Sequence, residues 1–326
     1  MPMPHQHYGG HISDRERRTI RTRRSHIHST RSEGPSLPAS PPPIIGIIPS
    51  VFTRAILPHS DPGKKDGHPA VYTRDTGRNR LSIYGGATAA QQLGIASESG
   101  IPYGGTCRYL IAFICGLARR HNSPVINLGP SQSKAFKALS FDNTGGSNGR
   151  IPYIQDQLYR LSTAAFRFEH FAGDTSAPSL ILNAPLVRRA ALWFTVDNAH
   201  PVVPISYVIE LDPWFYAHMS QHGIPVHLPT FRQLARSSLA CDLYAWLSRR
   251  IHALHNCTAR KLTLSWYQVH QQFGPGYTRT ADFRKRALRQ LARIKSHWPS
   301  LRYETPRGRL TIHQGPLHVA RTLHQH

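Results

Sequence analysis

No stretch of this chain holds the roughly 18 to 20 consecutive apolar residues that a membrane span requires, so no transmembrane helix is expected. The opening residues, MPMPHQHYGGHISDRERRTIRTRRSHIHSTRS, lack an apolar core and do not read as a secretory signal. Cysteine is scarce as well. Cys107, Cys115, Cys241 and Cys257 form no CxxC pair, and Cys115 and Cys241 sit among apolar neighbours. Free buried thiols in a reducing cytoplasm are the expectation. Carboxylates are few: 17 Asp and Glu face 40 Lys and Arg, for a formal charge of +23 with His neutral. Repulsion on this scale is offset most simply by a polyanion, which makes nucleic acid the first partner to consider.

The same scarcity argues against catalysis. No compact nucleophile–base constellation is present, and Tyr277 has no metal-binding cluster beside it in sequence, so the chain is not expected to be an enzyme. The 21 histidines invite a metal, yet His252, His255 and Cys257 in HALHNC have no second ligand pair at zinc-finger spacing. TGGSNG lacks the Lys-Ser/Thr of a phosphate loop and reads as a turn. No metal and no cofactor are expected.

What the chain does contain is length for two ordinary domains and a clear change of texture. Residues 1–68 read as a disordered basic, Pro-rich tail, with an Arg-rich block followed by GPSLPASPPP. Within it IIGIIPSVF (44–52) is the exception, expected to dock on the folded body. A first domain spans 69–200, a second 201–318 and a C-terminal tail 319–326, with the crossing near NAHPVVP (198–204). The first domain opens with two strands around DTGRN. The helix that follows buries Tyr109, Leu110, Phe113, Ile114 and Leu117, with Arg119 and Arg120 at its C-terminal end. PVINLG is a strand, SQSKAFKAL a Ser-capped short helix, TGGSNGR a turn and IPYIQDQLYRLSTAAF a second helix. RFEHF and SLILNAPLV follow as strands. The second domain opens with the strand SYVIEL. Its long helix, SSLACDLYAWLSRRIHALH, buries Leu239, Leu243, Trp246, Leu247, Ile251 and Leu254. Then come the strand KLTLS, the capped helix SWYQVHQQFG, the turn PGYTRT and a hairpin about Pro-Arg-Gly.

Between that turn and that hairpin lies TADFRKRALRQLARIKSHW (280–298). It has no Gly or Pro and favours helix. Phe283, Leu288, Leu291, Ile294 and Trp298 share one side of a wheel with about 3.6 residues per turn. Lys285, Arg286, Arg289 and Arg293 fall within an arc of roughly 100° on the other side. A basic helix face is commonly just solvated, but such faces usually mix signs, and here Asp282 is the single carboxylate. The neighbours decide. Both halves follow one order: long helix, short strand, Ser-capped short helix, Gly-containing turn, second helix, hairpin. The hairpin is less clear in the first half. This is the layout of a winged helix-turn-helix, in which the second helix enters a major groove and the hairpin flanks it. The expected fold is therefore α+β, two tandem winged helix-turn-helix domains after a disordered basic tail.

Several stretches carry a likeness to a known family: GIPYGGTCRYLIAFICGLA (100–118), INLGPSQSKAFKAL (126–139), TGGSNGR (144–150), QLYRL (157–161), LACDLYAWLSRRI (239–251), LSWYQVHQQFGPGY (264–277) and FRKRALRQL (283–291). Together they resemble the C-terminal-domain RepA family of plasmid replication initiators, in register over roughly residues 70 to 315. The long basic tail departs from that pattern, and Pro152 is tolerable only in the first turn of its helix. The resemblance implies a cytoplasmic protein that binds repeated origin sequences (iterons) as double-stranded DNA, helps open the origin and recruits the host initiator and replicative helicase. A homodimer through the first domain stays open beside a monomer. A winged-helix transcriptional repressor is the alternative reading, and a nonspecific basic RNA-binding or coat protein a more distant one.

The candidate DNA contacts follow from side-chain chemistry. Lys285, Arg286, Arg289 and Arg293 carry donors suited to phosphates and to guanine O6/N7. Arg279 and the wing residues Arg302, Arg307 and Arg309 suit phosphates. Arg150, Tyr153, Gln157 and Arg160 share one polar helix face in the first domain, expected to be exposed. Trp246, between Leu243 and Leu247 on the apolar stripe, gives a first check of this reading. Trp246→Ala should cost about 3 to 5 kcal/mol in denaturant melts, the range for deleting a buried large aromatic; a loss near zero means the helix face is wrongly placed.

Overall fold

The chain enters its folded body earlier than composition suggests. A computed structural model describes residues 44–63, 71–86, 100–139, 150–172, 177–191 and 207–319, all within one compact unit, Pro35–His326. The expected tail through residue 43, the TGGSNG turn at 144–149 and the crossing at 198–204 lie outside the described residues. The tail boundary at residue 68 is corrected. Ile45–Pro49 forms strand β1 and Ser50–Thr53 a 3-10 turn, and Ala55, Ile56 and Leu57 are fully buried. This short apolar run cannot offset its own ordering entropy. It folds because partners from distant sequence cover it.

The elements run β2 (Val71–Asp75), β3 (Asn79–Tyr84), α1 (Gly104–His121), β4 (Val125–Gly129), α2 (Gln132–Ala138), α3 (Arg150–Thr163), β5 (Ala165–His170), β6 (Leu180–Pro185), β7 (Val187–Ala191) and β8 (Tyr207–Leu211). The second half continues α4 (Pro213–His222), β9 (Gly223–His227), α5 (Leu228–Leu234), α6 (Ser238–His255), β10 (Lys261–Ser265), α7 (Trp266–Phe273), α8 (Thr280–His297), β11 (Tyr303–Glu304) and β12 (Arg309–His313). The expected apolar faces of α1 and α6 are all buried, Trp246 completely. Pro152 falls in the first turn of α3 as the element is bounded, where its missing N–H is tolerated. No helix among the described residues is long and apolar enough to cross a membrane.

β1 pairs antiparallel with β9, Ile45 opposite His227 and Pro49 opposite Gly223. It also crosses α1 at very short range. A Cβ on Gly116 would lie 2.6 Å from the Ile45 carbonyl oxygen. That contact explains a glycine in the interior of a helix, where it is otherwise unfavourable.

The remaining strands form three sheets, ordered β4-β8-β7, β2-β3-β5-β6 and β10-β12-β11. The first and last repeat one connectivity. In each, the strand after the long helix pairs antiparallel with the last strand, which pairs antiparallel with the one before it. The hairpin of the first half is therefore β7–β8. The strands directly after α3, RFEHF and the first part of SLILNAPLV, instead extend the β2–β3 hairpin into a four-stranded sheet. β8, expected to open the second domain, closes the sheet of the first half. Hydrophobic alternation marks a strand but not its partner, so the insertion of β5 and β6 was invisible in the sequence.

One buried ion pair joins the halves. Arg108 on α1 holds Asp242 on α6 through two hydrogen bonds, Nε to Oδ1 at 2.6 Å and Nη2 to Oδ2 at 2.9 Å. Its remaining donors reach the carbonyls of Leu57, Pro58 and Gly104 at 2.7–3.0 Å. His59 Nε2 also meets Oδ2, at 2.8 Å. Burial alone would raise the Asp242 pKa, but the Arg108 charge and the His59 hydrogen bond outweigh it and hold the carboxyl below its ordinary range. Buried thiols flank the pair: burial pushes Cys107 up to about 12, and Cys241 in the same direction. Asp242→Asn preserves shape but strands the Arg108 charge, and should cost about 3 to 5 kcal/mol at neutral pH. Because the folded pKa is depressed, the pair's contribution is full above the unfolded Asp value of about 3.9 and is lost as pH falls through the lower folded value. Urea melts at descending pH should show the gap between the two proteins closing in acid. A gap independent of pH would place the damage elsewhere.

Candidate nucleic-acid interface

α7 and α8 form a rigid corner, and its parts are readable residue by residue. Ser265 caps α7 in a reciprocal box: its hydroxyl accepts the Gln268 N–H at 3.2 Å, and Gln268 Oε1 accepts the Ser265 N–H at 2.8 Å. The turn between the helices is pinned by buried His270. Its Nε2 donates to the Tyr277 carbonyl at 2.9 Å, leaving Nδ1 to pair with the Thr280 hydroxyl at 2.9 Å. The imidazole also stacks on Phe283 with centroids 5.1 Å apart. Gly274 must be glycine here, since a Cβ would lie 2.2 Å from the His270 ring and 2.9 Å from Phe283.

α8 packs Phe283, Ala287, Leu291 and Ile294 inward with no measurable exposure, and Trp298 just after it is equally covered. Lys285, Arg286 and Arg289 are exposed on the opposite side, as the wheel requires. Among the described residues no carboxylate pairs with any of the three. Asp282 meets Arg279 at 3.9 Å, both side chains largely in solvent, an interaction worth little. Arg293 is only half exposed, and its guanidinium donates to the Gln233 carbonyl, tying α8 to the end of α5. The hairpin β11–β12 buries Leu310 and Ile312 and leaves Arg302, Arg307 and Arg309 exposed. Arg284, not among the expected contacts, is also exposed and lies 5.8 Å over the Trp266 ring. Its position off the main stripe concealed it. Lys295, by contrast, closes the helix end by donating to the carbonyls of Pro299 and Leu301.

The first-half face does not survive as an exposed surface. Gln157 is fully buried, its Oε1 accepting the Tyr103 N–H at 2.9 Å and its amide donating to Asp156 at 2.9 Å. Arg160 is 9% exposed; it holds Asp156 at 2.8 Å and the Ile101 carbonyl at 3.2 Å, and reaches Asp61 at 3.5 Å. Tyr153 is half-buried against Tyr103, with ring centroids 5.9 Å apart. Arg150 opens α3, and its side chain lies outside the described residues. A wheel shows which side chains share a face, not that the start of α1 and residue 61 lie across it. Among the described residues no group of three His, Cys, Asp or Glu is placed to hold a metal ion.

The second-half corner therefore presents bidentate donors on a helix face with a basic hairpin beside it. Such a face fits a duplex major groove about 12 Å wide, and its guanidinium groups match both phosphates and guanine edges.

Residues 101–268 match the family model described as plasmid encoded RepA protein. The match reaches from just before α1 into α7 and stops short of α8. Curated protein sequences offer no match to the chain. Among solved structures, a crystal structure of selenomethionine derivatives of domains 2 and 3 of RctB is similar at 12% identity and a TM-score of 0.50, covering 82% of this chain and 98% of that one. A second crystal structure of RctB domains 2–3 is 11% identical, covers 82% of this chain and 97% of that one, and has a TM-score of 0.46. At such identity the first likeness concerns the fold alone.

On a corner that engages a duplex, position would separate two roles. Arg289 is central on the exposed stripe, where a groove-inserted helix meets base edges, whereas Arg309 is on the hairpin. Arg289→Ala should cost about 1 to 3 kcal/mol on a cognate duplex and relax selectivity at one base pair. Arg309→Ala should weaken all duplexes alike and lower the salt slope by about one. Binding titrations on cognate and scrambled duplexes at several salt concentrations check both. Equal losses on the two duplexes for Arg289→Ala would mean that α8 grips the backbone without reading sequence.

Proposed function

The chain belongs to the plasmid encoded RepA protein family, a family of plasmid replication initiators, and from that premise we propose that it binds repeated sequences of a plasmid origin as double-stranded DNA. In this reading α1–β8 and α6–β12 are two tandem winged helix-turn-helix modules. The repeated connectivity of the β4-β8-β7 and β10-β12-β11 sheets supports it. α8 is the recognition helix, α7 braces it, and β11–β12 is the wing over the backbone. Sequence readout is assigned to Lys285, Arg286 and Arg289. Gln157 and Arg160 hold α3 against the start of α1.

The single observation that carries the proposal is the α8 face: exposed cations, with no paired carboxylate among the described residues, on a corner locked by His270 and the Ser265 cap. Preorganisation of this kind favours specific contact over loose electrostatic adhesion. The protein acts by binding and distorting DNA in the host cytoplasm, not by covalent chemistry, and hands the opened origin to the host initiator and helicase. A transcriptional repressor could use the same corner; family membership favours the initiator.

The test is replication in cells. A plasmid whose sole initiator gene encodes this chain, with its flanking DNA, should replicate and should fail with Arg289→Ala. Footprints of the wild-type protein should fall on repeats in that flanking DNA. A plasmid maintained equally well by the variant, or an unprotected flanking region, would remove the reading, and a protected region beside normal replication without the gene would favour the repressor.

A further inference from the structure

A second cationic surface has no α8 residue in its lining. An open groove of about 520 Å³ runs between the N-terminal arm, the β2–β3 turn, the C-terminal part of α6 and the exposed side of α7. Arg54, Arg78, Arg249 and Arg250 line it, with Tyr267 and Gln268 beside them, and no carboxylate is among its lining residues. Its walls are braced. Gln272 donates to the Thr53 carbonyl at 2.9 Å, and the Arg74 guanidinium donates to the Gln271 carbonyl.

The arginines are unusual in what they lack. Among the described residues none of the four has a carboxylate partner. The Nε atoms of Arg54 and Arg250 are buried without a hydrogen-bond acceptor, and Arg250 leans over the Trp246 ring at 5.8 Å. Burial, then the charges of Arg54 and Arg250, push Arg249 down to about 10, so it stays cationic at neutral pH. Gathering partly desolvated like charges is unfavourable unless an anion completes the site. Arg108 and Arg160, by contrast, hold carboxylates.

We propose that this groove is a second seat for the sugar–phosphate backbone of DNA, separate from the α8 face. The shape favours a strand over a small anion. The groove is open, its cations come from three separate elements, and no glycine-rich loop lines it. A run of phosphates meets dispersed charges of this kind. Tyr267, 63% exposed at the rim, offers a ring face to an unpaired base, so the strand can belong to a duplex or to opened DNA. The inference rests on the DNA-binding reading above, but not on α8 being the reading helix.

The test compares full-length wild type with Arg78→Gln/Arg249→Gln, using a duplex of arbitrary sequence and one of its separated strands. The slope of log K against log salt is about 0.9 per phosphate contacted on a duplex and about 0.7 on a single strand. On the DNA form seated here the double variant should lose about two contacts' worth of slope. Loss in the duplex arm assigns a duplex strand; loss in the single-strand arm alone assigns an opened one. An unchanged slope in both arms, with thermal melting as in wild type, overturns the proposal. Should the double variant melt early, Arg78→Gln alone, on an exposed turn, should still lower the slope by about one, and no change there overturns the proposal equally. Arg289→Ala is measured alongside. If it keeps full sequence selectivity while the groove variant loses slope, the α8 reading fails and the groove stands; the reverse pattern removes the groove and keeps α8.

Discussion

The interaction on which the architecture turns is the bidentate pair between Arg108 and Asp242. Both side chains are almost fully buried, and a buried charge without compensation is among the most unfavourable features a fold can contain. All five donors of Arg108 are engaged, on Asp242 and on three carbonyls. Two of those carbonyls, of Leu57 and Pro58, belong to the N-terminal arm. The pair can therefore be satisfied only when α1, α6 and the arm are assembled together. Buried ion pairs often add little net stability against an apolar substitute. What this one supplies is registry between the two halves, because a shift of either helix would leave a donor or a carboxylate oxygen unpaired.

From that junction outward, each half hangs a short helix and a sheet on its long helix. In the second half the core continues into the exposed corner: Trp246 on α6 meets Phe273 at the end of α7 edge-on at 5.4 Å, and Phe283 of α8 lies against His270. The cationic stripe of α8 is thus positioned by contiguous packing. In the first half the same connectivity ends differently. The corresponding helix, α3, turns its polar side chains onto the start of α1, so the repeat in topology is not a repeat in surface chemistry.

Much of this was legible in the sequence, and the limits have identifiable causes. Helix faces were readable because a period of 3.6 residues records burial directly: the stripes of α1 and α6 are buried as their spacing requires, and so is that of α8 apart from Leu288, which is half-buried. Caps were readable at Ser131 and Ser265. Long-range partnership was not. Nothing in IIGIIP specifies pairing with GIPVH, nor in SYVIEL pairing with PVINLG. The burial of Gln157 and Arg160 was hidden for the same reason, since their partners Tyr103, Ile101 and Asp61 are distant in sequence. The Arg54–Arg78–Arg249–Arg250 groove is the extreme case. Its four cations come from three separated segments, and no window of sequence contains more than two of them.

The placement of the carboxylates ties fold to function. Acidic residues are scarce, and most of those in the described body meet particular arginines; Asp212 instead caps α4 and Glu304 meets His313. Asp242 serves Arg108, Asp156 and Asp61 serve Arg160, and Asp75 serves Arg80. Glu169 serves Arg167, and Glu210 serves Arg188 and Arg189. Several of these pairs, Arg108–Asp242, Arg160–Asp61 and Arg188 and Arg189 with Glu210, join separate elements. Among the described residues, Lys285, Arg286 and Arg289 on α8 and the four groove arginines receive none. An excess of cations spread evenly would only raise self-repulsion. Here the excess is partly sorted: carboxylates neutralise arginines at several contacts between elements, and among the described residues the α8 stripe and the groove have none. A polyanion that covered both surfaces would remove repulsion the protein alone cannot, so DNA binding should stabilise the folded chain as well as be steered by it.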